Sequence, residues 1–560
     1  MERKTQKIDF GSKRLARQAD KYYNEGKYLP ALRFAYKQYE LYGGDGDVFT
    51  RLADIYEGLG LHYSAINWLY RFLDIADEVD LPDIYESLAI NYLHLGKEAE
   101  SAYYYNRLMD VDDVIPEETK MEIINAFSKD KRSRFRFVYP PKLADYSKEI
   151  DLGSKALKAG KSQTANKILS AVEKGSKSYA EAMEMRAVAC LLSGELTQAE
   201  EICLELLQDE PNATRIRATL AAVYLEQGRK DESKKIALEL YAEKQEDTDD
   251  LYKVATVCCE NGLHEEAYEK FVLLSTKIPY DGRLLYFKGV AAYKCGKLNE
   301  SEQTFSLLCD LYPDAEVAKY YLKELRMREE EEGQFPFYEP TYFYHLPEEE
   351  REARCKSLLH IGKCPKDEAQ LFALIALHDG YFRWCFDEMD GEDHDLQYLA
   401  LVTAVHVYAD AFIKEVMLDP EVIDALKIET LRLLYTRNED MEIGMVLCNM
   451  HRKIQLRKIR LGRKKRKAFL DGYASFASRF IVVNPAYGKI MQAVAQDAYK
   501  VLEEREKLEL IKDSNDIVCV LYMLSNFKEF GRELDAVCGV FEGNKERVEA
   551  IIHAITDNKE

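Results

Sequence analysis

A chain of 560 residues with 47% hydrophobic and 32% charged side chains has the composition of a soluble helical protein, and its formal charge of −21 disfavours general affinity for nucleic acid or anionic membranes without excluding a local basic site. Twelve scattered cysteines, several on apolar helix faces (Cys190, Cys203, Cys258, Cys309), and an opening MERKTQKIDFGSKR that is charged throughout point to reduced thiols, no secretory signal and a cytoplasmic location. The longest apolar run, Tyr398–Val405, is interrupted by His406 and Asp410 and is too short to span a bilayer.

Residues 1–112 hold three similar units. Gly26 and Gly60 stand 34 residues apart, with Ala19 and Ala53 seven residues before them, Tyr22 and Tyr56 four before, and Ala31 and Ala65 five after. Gly96 repeats the pattern with Ala89, Tyr92 and Ser101, delayed by two residues at the loop Asp77–Pro82. Three units are about the minimum for a stable stack. Residues 113–146 break the interval: a helical stretch, 113–127, precedes SKDKRSRFRFVYPPK, where Lys129, Lys131, Arg132, Arg134 and Arg136 interleave with Phe135, Phe137 and Tyr139. That alternation suits single-stranded nucleic acid or an acidic peptide, or else an extended linker whose rings pack on the neighbouring repeats.

Residues 147–332 carry the most regular signal, with Gly160, Gly194, Gly228, Gly262 and Gly296 each 34 residues after the last. A small residue precedes each by seven (Gly153, Ala187, Ala221, Ala255, Gly289) and another follows by five (Ala165, Ala199, Ser233, Ala267, Ser301). Larger side chains stand four residues before or nine after the glycine, as at Tyr224, Phe271 and Phe305, and Pro211, Pro279 and Pro313 close three units. Small residues let two antiparallel helices approach, bulky ones fill the groove between pairs, glycine permits the sharp turn and proline ends the second helix.

At these residues both arrays resemble the tetratricopeptide-repeat superfamily, whose unit is a helix–turn–helix of 34 residues. The resemblance implies an all-α fold, a right-handed solenoid of helical hairpins, whose first helices line an inner surface that accepts an extended or helical peptide. By register that surface includes Glu184, Val188, Leu191, Ala218, Ala222, Leu225, Tyr252, Thr256, Cys259, Tyr286, Val290 and Tyr293. Chaperone-binding members hold a terminal carboxylate with a clamp of lysine, asparagine and arginine. The matching positions here are mostly Val, Ala, Thr and Tyr, which implies apolar anchoring of a peptide instead.

The helix 314–332 has apolar Val317, Tyr320, Tyr321 and Leu325 on one face and an acidic end, as a capping helix would. The next stretch, 333–347, sets Phe335, Phe337, Tyr338, Tyr342, Phe343 and Tyr344 among three prolines, so it cannot be helical and is too aromatic for a free linker. It is expected to lie extended across a groove, which makes it, or else the carboxy-terminal domain, a candidate occupant of the array's own inner surface. Residues 348–560 keep helical spacing without the 34-residue register, with helices expected at 348–361, 367–379, 396–416, 420–436, 468–481, 485–506, 514–528, 530–541 and 544–556. They read as a second, irregular all-α domain. The stretch 442–461 fits either a helical stripe (Leu447, Met450, Ile454, Leu461) or the alternation of a β-hairpin.

Chemical motifs are scarce. No phosphate loop or nucleophile elbow is present, and His264-Glu265 lacks the second histidine of a zinc protease helix. Cys355, His360 and Cys364 match no common zinc spacing, with only His345 or His378 to offer a fourth ligand. No catalytic, cofactor or metal site is therefore assigned. The outlying feature is the basic run 452–467, with Arg452, Lys453, Arg457, Lys458, Arg460, Arg463, Lys464, Lys465, Arg466 and Lys467 and not one acidic residue. It suits phosphates of a nucleic acid or an anionic surface, an acidic face of the chain itself such as Glu329–Glu332, or a solvated surface. The reading as a whole is a non-catalytic protein or peptide-binding scaffold, with a nucleic-acid-associated regulator using 452–467 as the alternative.

Overall fold

The computed structural model describes residues 10–111, 146–158, 160–174, 176, 178–330, 338–378, 380–387, 394–462, 466–525, 527 and 533–556. The expected helix at 113–127, the basic and aromatic stretch 128–142, residues 333–337 and Arg463, Lys464 and Lys465 lie outside them.

Helical hairpins follow one another through both arrays. The first array pairs Phe10–Asn24 with Tyr28–Tyr42, Gly46–Gly58 with His62–Ile75, and Leu81–His94 with Glu98–Val111. The second pairs Ser147–Lys158 with Ser162–Leu169, Tyr179–Leu192 with Leu196–Asp209, Thr214–Glu226 with Lys230–Ala242, Thr248–Glu260 with His264–Ser275, and Gly282–Lys294 with Leu298–Leu311. Every turn between partners is built alike. The glycine adopts positive φ, from 68° at Gly262 to 79° at Gly228, where a side chain would strain the backbone. The following N–H then donates to the carbonyl four residues before the glycine, as in Lys27 to Tyr22 (2.8 Å), Arg229 to Tyr224 (2.8 Å) and Lys297 to Ala292 (2.9 Å). This is the Schellman closure, which satisfies carbonyls that a helix end otherwise leaves open.

The two small-residue columns explain how partners approach so closely. All of them are buried in both arrays, from Ala19 and Ala31 to Gly289 and Ser301. A Cβ on Gly289 would stand 3.0 Å from the Phe305 ring, so the bulky residue of one helix fills the space that the small one leaves. At two of the three positions where serine replaces alanine, its hydroxyl donates across the pair: Ser101 to the Ala89 carbonyl and Ser301 to that of Gly289, each at 2.8 Å, whereas the buried Ser233 hydroxyl makes no such bond. The fold is thus an all-α array of tetratricopeptide type, followed by the helix Glu316–Glu330.

The chain forms two compact units whose membership does not follow chain order. One contains Met1–Ser128, Ser357–Ala376 and Gln397–Glu560; the other contains Lys129–Lys356 and Leu377–Leu396. Within the first unit the carboxy-terminal helices run close to expectation, from Asp424–Thr436 and Lys467–Ile481 to Lys545–Thr556. The single helix expected over 396–416 is instead two, Asp395–Val407 and Asp410–Leu418. Tyr408 takes φ 61° at the break, the Ala409 N–H closes back on the Ala404 carbonyl, and the Arg437 guanidinium caps the Val405 carbonyl at 2.7 Å. A short helix that the spacing does not announce, Tyr381–Asp387, belongs to the second unit.

The ambiguous stretch is a β-hairpin, with β1 Met441–Leu447 antiparallel to β2 Met450–Leu456 and Leu447 paired with Met450. Cys448 and Asn449 form its two-residue turn, both at positive φ (49° and 59°), which matches the twist of the strands. Ile443, Met445, Leu447, Ile454 and Leu456 are buried. Beneath β1, buried Lys427 donates to the carbonyls of Asp419 (2.5 Å) and Val446 (2.7 Å), and burial pushes its ammonium down to about 8.

Candidate functional site

The twelve residues assigned by register to the inner surface stand ten, six and three positions before each turn glycine, a spacing of four and three that puts each trio on one stripe of a first helix. Their environments change along the central array. Glu184, Val188 and Leu191 on Tyr179–Leu192 are half-buried, as are Ala222 and Leu225 on the next first helix, with Ala218 buried. Tyr252 and Thr256 are half-buried on Thr248–Glu260, whereas Cys259 is buried. On Gly282–Lys294 all three, Tyr286, Val290 and Tyr293, are buried.

The cause at this end is the chain itself. Residues 338–347 lie across the last first helices as an irregular strap that bends at 342–345. The Tyr286 hydroxyl stands 3.0 Å from the carbonyl oxygens of both Thr341 and Phe343. Tyr342 enters between Phe287 (ring centroids 6.3 Å apart) and His264, whose Nδ1 is 3.1 Å from its hydroxyl, and it also hydrogen-bonds Cys259. Tyr344 packs edge-on against Tyr286, with centroids 4.6 Å apart, and its hydroxyl donates to Asp387 at 2.8 Å. Phe343, between the two tyrosines, points away and is 71% exposed. Lys294 pairs with Glu339 at 3.0 Å, and the Tyr321 hydroxyl donates to the His345 carbonyl at 3.1 Å.

The electrostatics follow from enclosure. Burial pushes the phenols of Tyr342 and Tyr344 well above their ordinary range, so both are neutral donors. Burial likewise lowers the His264 imidazole, helped by nearby Lys294. The Asp387 carboxyl is enclosed, and burial pushes it up to about 7 despite the Val317 N–H and Tyr344 hydroxyl that donate to it; Glu316 and Asp314 add to the rise. On the uncovered part of the face, burial also raises Glu184, with Arg215 and Lys253 opposing it.

The basic run is divided among three elements rather than gathered on one. Arg452 on β2 donates to the Val482 carbonyl at 2.6 Å, and Lys453 is exposed. Residues 457–462 continue as an extended ribbon: Ile459 is buried, Lys458 and Arg460 are exposed on either side of it, and half-buried Arg457 accepts a hydrogen bond from Tyr473 on its carbonyl. Lys458 pairs loosely with Asp440 at 3.6 Å. Arg466 and Lys467 are exposed at the start of Lys467–Ile481. Of Cys355, His360 and Cys364, the last two approach to 3.4 Å; among the described residues no group of three His, Cys, Asp or Glu side chains is arranged to hold a metal. Among the same residues no helix is long and apolar enough to cross a membrane.

A second covered surface escaped the sequence. Within the first unit the hairpin turn sits on second helices of the amino-terminal array. Tyr70 and Tyr104 both donate to the Asn449 carbonyl, at 2.6 and 2.9 Å, and the Asn449 amide donates to Glu100 at 3.0 Å. The His451 ring reaches Asp74 at 3.3 Å. The 34-residue spacing of Tyr70 and Tyr104 was the available signal, though it lies outside the repeat signature.

No protein-family model matches the chain, and no curated protein matches it. Among solved structures it is similar to the human IFIT1 dimer with PPP-AAAA (16% identity over 73% of this chain and 90% of that one, TM-score 0.28) and with m7Gppp-AAAA (16%, 76% and 94%, TM-score 0.29). It is also similar to yeast Tom70, at 15% identity over 96% of both chains with a TM-score of 0.21. The tetratricopeptide-type fold rests on the helical hairpins described above.

Proposed function

We propose that the chain is a non-catalytic scaffold that binds an extended peptide or protein segment along the first helices of its central array. The strap carries this reading: it is a non-helical peptide segment seated on that face, with side chains in ring-lined pockets and main-chain carbonyls met by a fixed hydroxyl. The half-buried stripe Val188, Leu191, Ala222 and Leu225 continues the same register toward the amino terminus and offers apolar anchoring. Selection of random displayed peptides on the full chain is expected to enrich apolar and aromatic sequences. Replacing Val188→Glu together with Leu225→Glu is then expected to weaken the selected peptides roughly tenfold or more. Enrichment of no sequence, or binding indifferent to both changes, would end this reading.

A second reading is favoured by the state of the basic run. Among the described residues, Lys453, Arg460, Arg466 and Lys467 are exposed with no carboxylate within ion-pairing distance, in a chain of net charge −21. Such cations suit the phosphates of a nucleic acid. If RNA or DNA binds there, Arg460→Ala and Lys467→Ala should each reduce the slope of log affinity against log salt by about 1. An unchanged slope removes this reading.

A further inference from the structure

We propose that residues 338–347 are an internal ligand, occupying a specific site for bent peptide segments with aromatic side chains two positions apart, and that the site becomes available when such a peptide displaces them. This rests on the reading of the first-helix face as a peptide surface and adds the ligand pattern and the means of its control.

The pattern is set by geometry. The strap bends over residues 342–345, where the His345 N–H closes on the Phe343 carbonyl at 2.9 Å. Tyr342 and Tyr344 are turned into the array while Phe343 is left in solvent. The first pocket, formed by Cys259, His264 and Phe287, takes a ring and meets its hydroxyl. The second, formed by Tyr286 and Asp387, takes a ring whose hydroxyl donates to the carboxylate. Between them the Tyr286 hydroxyl lies 3.0 Å from two main-chain carbonyls, a contact that the bend allows and that does not depend on side-chain identity. The receptor thus specifies tyrosine, any residue, tyrosine.

The means of attachment makes the strap a competitor rather than a strut. Its backbone forms no ladder with the helices beneath; its anchors include two ring pockets, the carbonyls of Thr341, Phe343 and His345, the Tyr338 N–H on Glu324, an ion pair of Glu339 with Lys294 and the buried Leu346. A tethered segment acts at an effective concentration on the order of millimolar, so a free peptide of equal contacts binds the closed chain weakly and the opened chain well. Apparent affinity falls in proportion to the fraction of molecules whose site is open.

The test uses the full chain and a fluorescein-labelled peptide with the sequence of residues 338–347. Wild type should bind it weakly, and a chain carrying Tyr342→Ser and Tyr344→Ser should bind it at least tenfold more tightly by anisotropy. The peptide with the same two serines should bind neither chain, and adding Tyr286→Phe to the opened chain should reverse part of the gain. An opened chain that keeps its helical circular dichroism yet binds no better than wild type overturns the proposal. Should the double variant not fold, wild type decides: excess peptide should speed hydrogen exchange at Phe343 and His345, and unaltered exchange overturns the proposal equally. The displayed-peptide selection and the Val188 and Leu225 changes bear on the broader reading alone, so either can fail without the other.

Discussion

The amino-terminal and central arrays are built from one hairpin design but are covered on different helices and by different chemistry. On the amino-terminal array the cover is a β-turn, and it rests on second helices through polar contacts: two tyrosine hydroxyls on one carbonyl, an amide on Glu100 and an imidazole near Asp74. On the central array the cover is a bent, non-helical strap, and it rests on first helices mainly through rings. The repeat signature governs how two helices join and how close they come. It says nothing of which face is then occupied, because the occupying contacts use positions that the signature leaves free.

The change expected to separate the two covers most sharply is Tyr286→Ala. It removes a fully buried ring from the central array together with the hydroxyl that holds the strap, at a cost on the order of 3–5 kcal/mol. Hydrogen exchange should rise steeply from Thr341 to Leu346 and stay unchanged at Leu447–Met450. An equal rise at the hairpin would show that the covers are not independent.

Next in size is a pH effect peculiar to the central cover. The folded chain raises Asp387 from 3.8 to about 7, so it holds a proton more tightly than the unfolded chain does. Stability from this group is therefore complete below about pH 4 and is lost as pH rises through 7, by up to roughly 4 kcal/mol. Tyr344, Tyr286, Cys309, Glu316 and Asp314 surround the carboxyl, and Glu316, itself raised by burial, adds a slope of the same sign. The protection factors of the strap amides, with the base-catalysed intrinsic rise divided out, should accordingly fall from pH 5 to pH 8 in wild type, and Asp387→Asn should flatten most of that fall. Protection that holds or rises over this range contradicts the assignment.

What the sequence made legible divides along the same line. The eight turns and the two small columns could be read, because each follows from local backbone chemistry; the strap was expected to be extended, but it bends at 342–345, where ring contacts from separate helices set its path. The two anchors, Asp387 and Tyr286, were not joined in advance: 100-odd residues separate them, and Asp387 ends a seven-residue helix too short to show a period. The break at Tyr408 was hidden because its partner, Arg437, comes from a later helix. The hairpin could be suspected from alternation, but its seat on Tyr70 and Tyr104 joins residues more than 340 apart, and nothing local in either stretch encodes that pairing.

A smaller effect tests the amino-terminal cover. Tyr104→Phe leaves the Asn449 carbonyl with one of its two donors and should cost about 1 kcal/mol. Adding Tyr70→Phe orphans a part-buried acceptor, so the pair should cost more than twice the single change, about 2–3 kcal/mol. Exchange at the hairpin should report it while the strap stays protected. Strict additivity would mean that water replaces the lost hydroxyls, and that the turn is held by its flanks.

The smallest effect is the one that should not distinguish the arrays at all. Gly60 and Gly228 sit at φ 76° and 79°, and a Cβ added to either would meet nothing within 4 Å. The cost of alanine there is backbone strain alone, about 1–2 kcal/mol, less the 0.4–1 kcal/mol that alanine recovers by restricting the unfolded chain. Both substitutions should therefore destabilise their own hairpin by ~1 kcal/mol, read as faster exchange in that turn. Gly289→Ala gives the contrasting case: its φ is helical and alanine is the better helix former, but the Cβ would press on Phe305 at 3.0 Å. If the two turn glycines differ by much more than each other's error, then a cover reaches one of the turns, and the separation between a shared hairpin design and array-specific covers has to be redrawn.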